Sequence, residues 1–463
     1  VFGAERHRFG AELRGFSPAY GFGPGYRFGA GYVFGADRHR FGAERPVSPR
    51  STRRKSSSAL EVTGGSGVYV VHPAGPLPAQ LAEAARALTG AVGVAGQATV
   101  LVGAGFDDPD ALCDELAPAL EECRSAGVTL LRLAMSGGAA ELPDRAAPAR
   151  RITERWDFDV LAPTGAAVVV PGGTLFAPDL PDAAGAWWQF SRGLLPRRLG
   201  ARHPAPQWQH ALDRVAADTA VDCVVHHIPA GLLVLSAGVP PEGADAVRYA
   251  LPVDPAGPVV LVGAAGAGPV PADALADVVA ALPAQVRGTV RLLPGDGRDL
   301  LPVGQQVADL LGIEIQVAGG LPVLLDDGAA PAGSPWNQPM RGAVARTMLL
   351  DADGNPAWRP YVEAVTCLPS KAVPRLASWR PPIGGLRPAQ EPGALVLDRH
   401  WQIAVTRAGL WIGPSGAGVP AVAANRPVAS DVMAIDLGLP DRPLDDATLW
   451  PPLQRLFAAL QDD

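Results

Sequence analysis

Ser136 and His72 are the residues of this 463-residue chain whose types and settings come nearest to a catalytic pair. Ser136 stands in Met135-Ser136-Gly137-Gly138, just past the apolar run 128–134 (VTLLRLA). His72 closes a second apolar run, 68–71. A hydroxyl is nearly inert at neutral pH, and it needs an imidazole within about 3–4 Å to take its proton. At neighbouring strand ends of one sheet, the two groups would make a hydrolase. The cysteines offer less. Cys113 and Cys123 share a predicted helix, roughly 15 Å apart at the rise of an α-helix, and Cys223 and Cys367 stand alone. Four thiols so scattered form no disulfide framework, so reduced thiols and a cytoplasmic setting are expected. The N-terminus has no charged start followed by an apolar core.

Other groups that do chemistry are present, but their spacing is poor. His203, His210, Cys223, His226 and His227 lie close in sequence. No two of them have a zinc-site spacing on one helix, and adjacent His226 and His227 on a strand point to opposite faces, so no metal is expected. Glycine-rich turns follow two apolar runs, at 103–105 and 263–268. The second reads GxxGxG with two prolines after it, not the GxGxxG that opens a dinucleotide-binding helix. No Walker lysine motif exists either, so no cofactor is expected. Arg192, Arg197, Arg198 and Arg202 read as a solvated linker, with an anion or acidic partner as the alternative. The carboxylate pairs Asp107-Asp108, Asp326-Asp327 and Asp445-Asp446 sit beside turns and helix starts, where capping and solubility explain them.

The elements that would position these groups alternate. Strands are predicted at 68–71, 99–103 (TVLVG), 128–134 and 158–161. Helices are predicted at 77–88, from Asp108-Pro109 through Cys123, and at 148–156. A hairpin follows at 166–177. Strand–helix alternation implies a mainly parallel sheet covered on both faces. The order then returns: VVLVG at 259–263 answers VLVG at 100–103, TVRLL at 289–293 answers VTLLRL, and 303–317 answers 152–162. Thr347–Leu350 answers the hairpin, and Trp358–Tyr361 answers Trp187–Phe190. This is the signature of an internal duplication. The expected organisation is a first unit at 63–200, a connecting segment at 201–245 and a second unit at 246–369. A Pro-rich linker and a small C-terminal α+β segment fill 370–463.

The stretch Arg132–Gly138, Ala162-Pro163-Thr164-Gly165 and Trp187–Phe190 resembles caspase-like domains of actinobacterial polymorphic-toxin and secretion-associated proteins. The second unit resembles them through Arg291–Leu293, Gly312–Val317 and Trp358–Tyr361. The likeness covers roughly 100–190 and 258–361. It implies an α/β fold of two related three-layer units, caspase-like or Rossmann-like, with mainly parallel sheets. In the family, a Cys and a His-Gly pair at neighbouring strand ends do the chemistry. Here Met135 and Pro294-Gly295-Asp296 stand where the Cys belongs, and Gly103-Ala104 and Gly263-Ala264 stand where the His belongs. A thioether cannot become a thiolate. The resemblance therefore implies a degenerate, non-catalytic module, with a hydrolase using Ser136 and His72 as the alternative.

Bulk composition fits these readings. Hydrophobic residues make up 48% and charged residues 18%, the profile of a folded chain rather than of collagen, coiled coil or disorder throughout. Lys55 and Lys371 are the only lysines, and the excess of Arg, Ala, Gly and Pro points to a GC-rich genome such as an actinomycete's. The net charge of −7 hides a division: residues 1–58 are basic and the remainder is acidic, which makes the body a poor nucleic-acid binder. In that basic tail VFGAERHRFGAE recurs as VFGADRHRFGAE at 33–44. No apolar period runs through it, so a disordered low-complexity tail is expected over 1–62. Its Arg beside Phe and Tyr would suit single-stranded RNA. The partner of the body is expected to be an unknown protein, not a membrane.

Overall fold

A computed structural model describes residues 32–34, 60–65, 67–91, 95–103, 109–143, 145–179, 185–239, 245–325, 344–351, 357–371, 373–444 and 446–460. The protein is a mixed α/β chain. In the basic tail, β1 (Tyr32–Phe34) pairs antiparallel with Ala167–Val169. Leu60–Val62, expected in the disordered tail, instead begin a strand of the first sheet, Leu60–Gly65; the remainder of the tail, and with it the RNA reading, lies outside the described residues. So do Asp107-Asp108, Asp326-Asp327 and Asp445.

Next come β2 (Leu60–Gly65), β3 (Val68–Pro73), α1 (Ala79–Ala91), β4 (Gln97–Val102), α2 (Pro109–Ser125), β5 (Leu130–Ala134), α3 (Pro148–Trp156) and β6 (Asp159–Pro163). The hairpin β7 (Ala167–Val169) and β8 (Leu175–Phe176) follows, then β9 (Trp187–Phe190) and β10 (Arg197–Gly200). The sheet order is β10-β9-β6-β5-β4-β3-β2. Its centre, β3 to β6, is parallel, and both edges are antiparallel. Central strands are buried on both faces, which is why they read as unbroken apolar runs.

One face of this sheet packs against α2 and α3. Leu112, Leu116, Leu120 and Cys123 form the buried stripe of α2, and Ile152 does the same for α3. Pro148 opens α3 at N1, and Asp157 closes it in the left-handed region, its N–H bonding to the Thr153 carbonyl at 3.1 Å. The other face is covered by α1 through Leu81, Ala84, Ala85 and Leu88, and by the β7–β8 hairpin.

A junction of β11 (Arg202–His203) and α4 (Gln209–Leu212) leads to a second sheet. Its elements are β12 (Cys223–Ile228), β13 (Gly231–Ser236), α5 (Asp245–Arg248), β14 (Val259–Val262), α6 (Ala272–Ala280), α7 (Ala284–Arg287), β15 (Arg291–Pro294), α8 (Leu301–Leu311) and β16 (Ile315–Ala318). The hairpin of β17 (Leu321–Leu325) and β18 (Val344–Met348) precedes β19 (Val362–Cys367) and β20 (Arg375–Trp379). The order β12-β13-β14-β15-β16-β19-β20 has the same strand directions as the first sheet. Again helices α6 and α8 line one face and a hairpin lies on the other.

Three boundaries differ from the sequence-based expectation. Residues 223–236, placed in the connecting segment, are the first two strands of the second sheet. The Pro-rich stretch at 370–393 contains its last strand, β20, so it is not a linker. Trp358–Tyr361 precedes β19 instead of lying on it, and Tyr361 packs into the C-terminal core. That core belongs to β21 (Arg387–Pro388), β22 (Ala394–Val396), β23 (Trp401–Thr406), β24 (Gly409–Pro414), α9 (Ala421–Ala424), β25 (Ala434–Leu437) and α10 (Asp446–Leu460). Leu449, Leu453 and Leu456 of α10 pack on Ile403 and Leu410 of its five-stranded sheet. Among the described residues no helix is long and apolar enough to cross a membrane.

Candidate functional site

The carboxyl ends of β3, β4 and β5 bring the sequence-predicted residues near one edge of the first sheet. They do not join them. The His72 ring spends both nitrogens elsewhere: Nδ1 bonds to the Pro73 carbonyl at 2.9 Å and Nε2 to Thr63 Oγ1 at 3.2 Å. The ring is 1% exposed, so no surface is left to meet a substrate. Ser136 Oγ is buried and has no hydrogen-bond partner. Without a base, the hydroxyl keeps its proton. The Ser136–His72 dyad is therefore not formed, because β4 separates the two strand ends and β2 captures the imidazole.

The strand ends where a thiolate and an imidazole would be needed are filled. Met135 is 8% exposed and packs into the core shared with α2 and α3. A Cβ added at Gly103, which follows β4, would lie 2.4 Å from Leu81 Cδ1 of α1. In the second sheet, a Cβ at Gly263 would lie 2.8 Å from Asp296 Oδ2. Asp296 is itself engaged, its Oδ1 accepting the Arg298 backbone N–H at 3.0 Å.

The histidines do not gather. His227 Nε2 bonds to the Val215 carbonyl at 3.1 Å, and Cys223 is buried, where burial raises its thiol pKa. Among the described residues no three His, Cys, Asp or Glu side chains converge as metal ligands. His227 does line a cleft of about 220 Å³ with Asp179, Arg198 and Asp213. Asp213 there sits 4.0 Å from Arg198, so its charge is answered within the chain.

Two arginines carry more chemistry than the sequence reading gave them. Arg202 is not solvated: it is 0% exposed, and burial lowers its pKa to about 10, so it remains charged at neutral pH. Its Nε donates to the Pro229 carbonyl at 2.6 Å, and Nη2 donates to Ile228 at 2.6 Å and Gly231 at 3.1 Å. Its guanidinium lies over Phe176 and Trp208, at 5.5 and 4.9 Å from their ring centroids. One side chain thus ties the first unit's hairpin to the turn that opens the second sheet.

Arg132 lies in the middle of β5 and is 4% exposed. Neither Nε nor Nη2 has a partner. Register places it in a row with Val68, Thr99 and Leu161, all facing α1 and the β7–β8 hairpin. Thr99 Oγ1 and Trp187 Nε1, on that same face, are also buried without partners. His203 stands beside them, its ring 6.5 Å from that of Trp187. Burial first, and the Arg132 charge second, lower the His203 pKa to about 4. The signal was present in the sequence: VTLLRLA sets a guanidinium between two leucines of a strand covered on both faces.

Comparison with known proteins adds little. No family model matches the chain. No curated protein matches it. A mutant of Nesterenkonia AN1 amidase, from the nitrilase superfamily, aligns over 57% of this chain and 86% of its own at 15% identity, with a TM-score of 0.12. A superposition that poor assigns neither fold nor chemistry.

Proposed function

We propose that the chain is a non-catalytic binding or scaffold protein built on two related, degenerate caspase-like units. Its setting would be an actinobacterial secretion, conflict or defence system, and its partner another protein. The matching strand order of the two sheets supports a duplication. One observation carries the non-catalytic reading. The strand-end position for a base is occupied by a neighbouring side chain in both units, Leu81 against Gly103 and Asp296 against Gly263. Divergence that removed only the imidazole would leave a vacancy. Here Leu81 and Asp296 reach into that space, and an imidazole would require each of them to move, which fits a site no longer kept open for substrate.

The test is covalent labelling of the full chain with a fluorophosphonate, which reacts with activated serine hydroxyls. Wild type and Ser136→Ala are expected to show the same background by intact-mass measurement. A stoichiometric adduct on Ser136, absent from Ser136→Ala, would establish a hydrolase and remove the scaffold reading.

A further inference from the structure

We propose that the cleft lined by Arg198, Asp213, Asp179 and His227 binds a small aliphatic amino acid as its zwitterion. This inference goes beyond the scaffold reading and does not depend on it. The cleft has room for a ligand. Its volume is about 220 Å³, many times the ~10–15 Å³ that one water needs. It opens where both units contribute. Asp179 follows β8 and Arg198 lies on β10, whereas Asp213 and Val215 belong to the junction, and Val225 and His227 to β12. Boundaries of this kind are where small-molecule clefts form.

The charges form an open pair. Arg198 Nη1 stands 4.0 Å from Asp213 Oδ2. That is beyond hydrogen-bonding distance, so neither group spends its hydrogen bonds on the other. The two side chains are 43% and 19% exposed, so solvent screens the pair and little is lost when a ligand parts it. A zwitterion answers both groups at once, with its carboxylate on the Arg198 fork and its ammonium on Asp213. An ammonium donates three hydrogens, and the lining supplies further acceptors. Asp179 accepts the Gly185 N–H at Oδ1, 2.9 Å away, which leaves Oδ2 open among the described residues. His227 Nε2 donates to the Val215 carbonyl at 3.1 Å, so Nδ1 of the neutral ring is an acceptor. The balance of charge disfavours an ion of either sign. Asp179 and Asp213 meet Arg198 and the buried Arg202, whose positive charge both carboxylates stabilise. A ligand with net charge would leave one sign in excess in a part-buried cleft. The remaining wall, Ala201, Val215, Ala217 and Val225, is aliphatic and suits a short branched side chain.

The probes are L-valine, isobutylamine, which is valine without its carboxylate, and isovalerate, which is valine without its ammonium. Each is titrated calorimetrically into the full chain at neutral pH and equal ionic strength. Valine is expected to bind saturably at one site per chain, with a dissociation constant below about 1 mM. Each analogue is expected to bind at least about tenfold more weakly. Arg198→Met keeps the length of the side chain without its charge, and in it valine should bind no better than isobutylamine. Asp213→Asn keeps the shape without the charge, and in it valine should bind no better than isovalerate. Both variants should keep the melting temperature of ligand-free wild type, since the pair they break is loose. No saturable valine binding by wild type overturns the proposal, and so does unchanged valine affinity in either variant. An analogue that binds as tightly as valine overturns the zwitterion assignment. If one variant does not fold, the affinity of the other decides alone.

Discussion

An imidazole that is buried beside a guanidinium makes stability depend on pH. The His203 pKa falls from 6.5 to about 4 through burial and the Arg132 charge. The native state therefore keeps the ring neutral down to about pH 4, while the unfolded chain protonates it below 6.5. Between those values the unfolded state holds more protons, so stability is present above pH 6.5 and is lost as the pH falls toward 4. A shift of that size corresponds to about 3 kcal/mol, and partial exposure of the ring reduces it to about 1–2 kcal/mol. Urea melts at pH 7 and pH 4 should show His203→Gln losing that much less than wild type. Equal losses in the two proteins would remove the charge coupling. Single residues were legible as chemistry but not as environment. Ser136 and His72 were visible by type, yet the strand β2 that takes up His72 begins in a stretch with little apolar character. Arg202 looks solvated among exposed arginines, because the turn it binds lies 26 to 29 residues further on.

At the scale of elements, burial decides what a sequence can announce. The runs at 99–103 and 128–134 correspond to β4 and β5, since a strand shut in on both faces must be apolar throughout. The outer strands β2, β12 and β20 each keep one edge unpaired and are partly exposed, so polar residues such as Glu61, His226, His227 and Arg375 break their runs. That is why the edge strands β12 and β20 fall outside the expected unit at 246–369. The helix α2 poses the opposite case. Its buried apolar stripe passes beside Pro118, an exposed proline inside the helix. Proline has no N–H to give the Asp114 carbonyl, and its ring crowds the preceding turn. The stripe on either side of it holds the helix against the sheet. Pro118→Ala should restore the bond and raise unfolding free energy by about 1–3 kcal/mol. The readout is a higher urea midpoint at unchanged m-value. No rise would mean that α2 is bent at Pro118 to fit the sheet.

The whole molecule depends on how two seven-stranded sheets behave as one body. Arg202 stands where they meet. It donates to three carbonyls at the β12–β13 turn while its guanidinium lies over the rings of Phe176 of one unit and Trp208 of the junction. Gln209 reinforces the joint, accepting the Arg202 backbone N–H at 2.8 Å and donating to the Leu199 carbonyl at 2.8 Å. Removing the side chain would leave three buried carbonyls without these donors and a void between two aromatic rings. Losses of this kind cost about 3–5 kcal/mol. The cost falls on the contact between units, not on either core, since each sheet keeps its own clusters of buried side chains. Coupling is what makes two cores melt together, so its loss should separate them. Scanning calorimetry is expected to show the two units of wild type unfolding in one transition. In Arg202→Ala that transition should split in two, with the less stable unit melting first. Arg202→Lys should split it as well, because a single ammonium cannot reach three carbonyls as a planar fork does. If Arg202→Ala lowers the melting temperature yet both units still unfold together, the coupling lies elsewhere in the junction and Arg202 serves only local packing.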